Sequence, residues 1–153
     1  MKGPELAELS KTSGQNIKVL IVHARWNAYI IKRLVESTTA SLLQRYGVQE
    51  ANLTIRSVPG SWELPMALKQ DIQNYDVAIA IGVLIKGETM HFEYISQNVS
   101  AGLMQIQLES GKPVIFGVLT VLTQEQAEQR AGIHGRDHAP DWAAAAVEMA
   151  IAK

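Results

Sequence analysis

From Val77 to Ile85 the chain carries no polar side chain: Val77-Ala78-Ile79-Ala80-Ile81-Gly82-Val83-Leu84-Ile85. A strand that is apolar on both alternating faces must be covered on both, which points to the interior of a parallel sheet between layers of helix. The run then turns through Lys86-Gly87-Glu88-Thr89 and opens a long helix at His91. A strand that leads through a polar, glycine-containing loop into a helix is where α/β proteins place ligands. The free N–H groups of the helix start favour an anion. A histidine in the first turn adds a group that moves protons near neutral pH.

The rest of the chain supplies partners for this element. Residues 1–16 are polar and broken by Gly3, Pro4, Ser13 and Gly14, so they read as a flexible arm before a single domain over 17–153. Ile17 to His23 is a β-branched strand, followed by Ala24-Arg25-Trp26-Asn27. A helix follows with Ile30, Ile31, Leu34, Val35, Leu42 and Leu43 on one face; Asn27 is placed to cap it and Gly47 to end it. Asn52 to Val58 is a second strand, stopped by Pro59-Gly60, and Ser61-Trp62-Glu63-Leu64-Pro65 leads into a helix ending near Asn74. The helix from His91 runs to Ser110, with Phe92, Ile95, Val99, Leu103 and Ile106 as its core seam. A second seam of Tyr94, Ala101, Met104 and Leu108 has two readings, a subunit contact or a helix sandwiched within its own domain. Pro113 to Leu122 is a fourth strand, and Thr123 with Gln126 reads as a capping box. Ile133 to Pro140 is a loop, and Asp141 caps an alanine-rich helix from Trp142 to Ala152.

Alternating strands and helices predict an α/β fold: a three-layer αβα sandwich with a four-stranded parallel sheet in the flavodoxin-like order 2-1-3-4. The length, 153 residues, suits one domain with a sizeable core. Fourteen basic against fifteen acidic residues, with no basic run, argue against a nucleic-acid partner. The absence of cysteine removes disulfides and thiolate metal sites and suits a cytoplasmic protein. No stretch is long and apolar enough to span a membrane, and no signal-peptide pattern is expected.

All strand C-ends of a parallel sheet share one edge. That edge would gather Arg25, Trp26 and Asn27, then Ser61, Trp62 and Glu63, then Glu88, Thr89 and His91. These residues suit an aromatic, hydroxyl-rich ligand with an anionic end, although loop tips are polar in any protein and Trp can simply plug a sheet edge. Of the four histidines, His91 is the proton-transfer candidate; His23 reads as a core histidine, and His134 and His138 as solvated loop residues. No metal-ligand spacing appears. Arg130 suits a phosphate, or a surface ion pair with Glu125 or Asp141.

His23-Ala24-Arg25-Trp26-Asn27, Val58 to Pro65, Gly82 to Ile95, Pro113 to Thr120, and Glu125-Gln126-Ala127 with Arg130-Ala131-Gly132 together resemble the 6,7-dimethyl-8-ribityllumazine synthase family. The Trp26 and Lys86-Gly87 variants look most like its fungal type. The resemblance implies a transferase of riboflavin biosynthesis. It condenses 5-amino-6-(D-ribitylamino)uracil with 3,4-dihydroxy-2-butanone 4-phosphate, releasing phosphate and water, with no metal or cofactor. It implies that Trp26 stacks on the pyrimidine ring and that Ser61, Trp62 and Glu63 hold the ribityl chain and ring edge. Val83, Leu84 and Ile85 would line the ring pocket and offer backbone hydrogen bonds. Glu88, Thr89 and Arg130 would meet the phosphate, and His91 would transfer protons. Phe116 would reach the ring from an adjacent subunit of a homopentamer, with a larger shell and flavin binding at the same site left open. Asn27 would support the site, and Asp141 falls where the family has an acidic partner for its phosphate arginine. The family usually has a glycine where this chain reads His138-Ala139-Pro140-Asp141. That departure bears on the packing of this loop and on assembly beyond the pentamer.

Overall fold

A computed structural model describes residues 3–152. Four strands form an all-parallel sheet: β1 (Val19–Ala24), β2 (Leu53–Val58), β3 (Val77–Ile85) and β4 (Val114–Val121), in the order β2-β1-β3-β4. Helices α1 (Ala28–Ala40), α2 (Leu64–Asp71), α3 (His91–Ser110), α4 (Gln124–Arg130) and α5 (Ala139–Ile151) cover both faces. The predicted three-layer sandwich and strand order are the observed ones. The outer positions, 1, 2 and 153, of the expected arm and domain lie outside the described residues. Among the described residues, Lys11–Asn16 form consecutive turns, and the Gly14 amide donates to the Tyr46 carbonyl at 2.7 Å.

β3 pairs with β1 on one edge and β4 on the other, and its two faces differ in size. Ile79, Ile81 and Val83 point to one layer, where they meet α1 and the alanines of α5, Ala143, Ala144 and Ala146. Ala78 and Ala80 point to the other, where Leu64 and Leu68 of α2 and Val99 and Leu103 of α3 fill the space. Large side chains on the strand face small ones on α5, and small ones on the strand face large ones on α2 and α3. That alternation lets both layers reach close packing. Gly82 continues the small series: a Cβ there would run into Ser61 Oγ and come within 3.4 Å of Leu64 Cδ1.

The ends of the helices hold most of the departures from expectation. Asn27 occupies the N-cap of α1, but its side chain makes no cap hydrogen bond. Its backbone is left-handed (φ 60°, ψ 47°), a conformation that Asn tolerates better than most residues. This turns the amide away from the helix, and Nδ2 donates to the Val83 carbonyl at 3.0 Å. α1 ends in a π-helical stretch, Ser41–Arg45, before Gly47 at φ 70°. Thr123 caps α4 by accepting from the Gln126 amide, while the Gln126 side chain accepts from the Leu122 amide instead of closing a full box. Asp141 does not cap the last helix. α5 begins at Ala139, with His138 at the N-cap and Pro140 in the first turn, where its missing N–H costs nothing. Asp137 holds the start of this helix by accepting from the Ala139 amide at 2.9 Å and bonding Ser37 of α1.

α3 separates its seams clearly. Val99, Leu103 and Ile106 are buried, whereas Tyr94, Met104 and Leu108 are 64%, 53% and 73% exposed. Its own domain therefore leaves the second seam uncovered. Phe92 and Ile95 are only half-buried, because the first turns of α3 overhang the strand ends. No helix is long and apolar enough to cross a membrane among the described residues.

Candidate active site

The C-terminal edge of the sheet opens into a cleft of about 760 Å³. Three crossings build it. After β1, the turn at Arg25-Trp26-Asn27 leaves the Trp26 indole 74% exposed. After β2, Pro59-Gly60 leads into a 3-10 turn, Ser61–Glu63, that buries Ser61 and leaves Trp62 57% exposed. Gly60 permits a close approach here, since a Cβ on it would lie 3.1 Å from Trp26 Cδ1. The Gly60 amide donates to Glu63 Oε2 at 2.9 Å, which fixes the turn between the two indoles. Two large indoles left open beside one cavity mark a surface shaped for a flat ligand, since wide exposed apolar area is usually an interaction site.

The third crossing follows β3. Val83, Leu84 and Ile85 form the floor, and Gly87, Thr89 and His91 close one end. The Asn27 side chain already engages the Val83 carbonyl, which ties the Trp26 turn to the floor. Thr89 Oγ1 accepts from the His91 amide at 3.3 Å, so the hydroxyl sits at the N-terminus of α3. Lys86 Nζ donates to Glu93 Oε1 at 2.7 Å across this loop. That hydrogen bond, helped by a backbone amide, holds the Glu93 carboxyl below the usual carboxylate range.

Ten of the residues expected at the site line one cleft: Trp26, Asn27, Ser61, Trp62, Glu63, Val83, Leu84, Ile85, Thr89 and His91. Phe92, Tyr94 and Ile95 line it too, and sequence reasoning assigned Phe92 and Ile95 to the core. The signal that could have found them is their position in the first turns of a helix that starts beyond the strand ends.

Four expected residues lie outside the lining. Glu88 is exposed on the loop. Phe116 pairs in register with Ala80, three residues before the floor begins at Val83 and so about 10 Å short of the cleft at the usual strand rise. It is 44% exposed on the edge strand. Arg130 donates to the Gln126 carbonyl at 3.1 Å and has no acidic partner among the described residues. Asp141 instead pairs with Arg136 at 2.7 Å. His138, expected to be solvated, is half-buried, and its amide donates to the Arg130 carbonyl at 2.9 Å. Burial, then the Arg136 guanidinium, push its imidazole below the ordinary value. His23 bonds the Ala24 carbonyl through Nδ1 at 3.0 Å, as a core histidine would. No group of three or more His, Asp or Glu side chains is placed to hold a metal among the described residues.

Residues 16–153 match the family model for 6,7-dimethyl-8-ribityllumazine synthase. The chain belongs to the lumazine synthase family. Its relatives carrying that enzyme name include a Schizosaccharomyces pombe protein, 50% identical over 99% of this chain and 95% of the relative. A Pyricularia oryzae lumazine synthase is 45% identical over 90% and 88% of the two chains. One from Aquifex aeolicus is 43% identical over 92% of each. In this lumazine synthase family member the cleft has aromatic walls at one end and a helix N-terminus at the other.

Proposed function

We propose that this cleft is where the chain condenses 5-amino-6-(D-ribitylamino)uracil with 3,4-dihydroxy-2-butanone 4-phosphate to give 6,7-dimethyl-8-(D-ribityl)lumazine, the penultimate step of riboflavin synthesis. The observation that carries the reading is the pairing of two exposed indoles, Trp26 and Trp62, with a hydroxyl-capped helix start in one cavity. Trp26 stacks on the pyrimidine over the Val83–Ile85 floor. Ser61, Trp62 and Glu63 take the ribityl chain and ring edge. Thr89, the Glu88 backbone and the amides at the start of α3 meet the phosphate, and Arg130, which lies outside its own cleft, joins it as a guanidinium partner from a neighbouring subunit.

The 5-amino group attacks the ketone and water leaves to give a Schiff base. Loss of phosphate and attack by the ribitylamino nitrogen then close the ring, with a second dehydration. No electrons are gained or lost overall, so the steps ask only for proton transfer and positioning. His91, at the junction of ring floor and phosphate loop, supplies the first. The rigid floor and walls supply the second, which is worth roughly 7–11 kcal/mol in well-oriented cases.

The site is shared between subunits of a homopentamer in this reading. Phe116 stands exposed on the edge strand, remote from its own cleft, and the Tyr94, Met104 and Leu108 seam of α3 has no cover. A cytoplasmic setting suits a chain without cysteine. Riboflavin is expected to compete for the same aromatic walls. The direct test mixes the purified protein with both substrates and follows lumazine fluorescence. No product, together with tight riboflavin binding, would replace the enzyme by a flavin-binding module.

A further inference from the structure

Lys86 and Glu93 bracket the loop that meets α3, and neither lines the cleft. Between them lie Gly87, Thr89, His91 and Phe92, all of which do. Lys86 is anchored at the sheet, where its amide donates to the Val121 carbonyl of β4 at 2.9 Å. Glu93 sits in the first turn of α3. Among the described residues, their 2.7 Å contact is the one hydrogen bond joining the end of β3 to α3. The loop between is open: a Cβ on Gly87 would meet nothing within 4 Å. The second carboxylate oxygen, Glu93 Oε2, is shut away from solvent and has no partner among the described residues.

We propose that Lys86 and Glu93 form a clasp behind the loop that sets where Thr89, the α3 amides and His91 stand relative to the ring floor. Lys86 is thus a positioning residue for the phosphate half of the reaction. An exposed ion pair contributes little to global stability, and Lys86 and Glu93 keep 49% and 33% of their side-chain area open to water. The effect of this one is geometric. Without Lys86, a carboxylate with a solvent-excluded oxygen loses its only side-chain partner and rotates toward water. The first turn of α3 then loses its tie to the sheet. The ring subsite is untouched, because Trp26 and Trp62 stand on other crossings.

The inference rests on the reading of this loop as the phosphate subsite, so the test checks that first. Inorganic phosphate should inhibit wild-type turnover competitively against the butanone phosphate; if it does not, the subsite reading fails independently of the clasp. Lys86→Met should lower kcat/KM for the butanone phosphate about 10- to 100-fold, the scale expected of small misplacements. It should also weaken phosphate inhibition and leave KM for the ribitylaminouracil unchanged. Lys86→Arg should restore wild-type behaviour. The double variant Lys86→Met/Glu93→Gln should be no worse than Lys86→Met alone, since the two residues act as one unit. A loss that follows only the folded fraction, with both KM values intact, overturns the clasp. So do additive effects of the two substitutions, or phosphate inhibition that persists unchanged in Lys86→Met.

Discussion

His91 and Arg130 divide the chemistry at the level of single residues. His91→Ala should slow lumazine formation about 10²- to 10⁴-fold, the usual contribution of a placed general acid–base, while ribitylaminouracil still binds. Arg130→Ala should instead raise KM for the phosphate substrate selectively. Steady-state kinetics on both substrates separates these outcomes, and unchanged turnover in both variants would remove the assignment. His138 gives a pH dependence of its own. Its folded pKa lies below the ordinary 6.5, so the unfolded chain takes up its proton first. Its contribution to stability is complete above 6.5 and is lost as pH falls from there through the lower folded value. Thermal melts from pH 7.5 down to 5 should show wild type losing more stability than His138→Gln. Legibility at this scale followed chemistry that spacing reveals: Trp26, Trp62 and His91 could be placed because each follows a strand end. The Asn27 bond to Val83 could not, because a left-handed N-cap is a backbone event with no periodic signature. The Arg136–Asp141 pair was equally hidden, since it depended on where α5 begins.

Gly82 shows how an element rather than a residue controls the cleft. β3 must narrow on its α2 side for the Ser61 turn to settle beside Leu64. Gly82→Ala should therefore cost about 1–3 kcal/mol, the usual range for overpacking. It should also raise KM for the ribitylaminouracil by displacing the Ser61–Glu63 turn; chemical denaturation and kinetics together test this. Strands and the long helix were readable from residues such as Val77 to Ile85 and His91 to Ser110, where periodicity is unbroken and Gly111 stops the helix at φ 69°. Short elements were less readable. The start of α5 is one of them: Pro140 reads as the end of a loop in sequence but stands in the first turn of the helix. The π-helical end of α1 leaves no mark in the pattern of apolar residues.

At the scale of the molecule, Phe116 on the edge strand and the outer seam of α3 both stand uncovered. If each working site borrows Phe116 from a neighbour, two crippled variants should rescue each other. His91→Ala and Phe116→Ala subunits, unfolded together and reassembled, should form some sites that contain both native residues. Recovered activity in the mixture, above the sum of the separately refolded variants, would show the shared site; no recovery would place each site within one subunit. One feature of the sheet bears on how the chain reaches this state at all. β1 lies between β2 and β3, and the bond from the Lys18 amide to Asp76 at its entrance spans 58 residues. The centre of the sheet cannot close until β3 has been synthesised. A nascent chain that stops before Val77 has α1 and α2 to lay on β1, but the edge of β1 that β3 fills is still open. Folding is then governed by this long-range pairing, and the half-made chain, rather than the finished protein, is the species most exposed to aggregation.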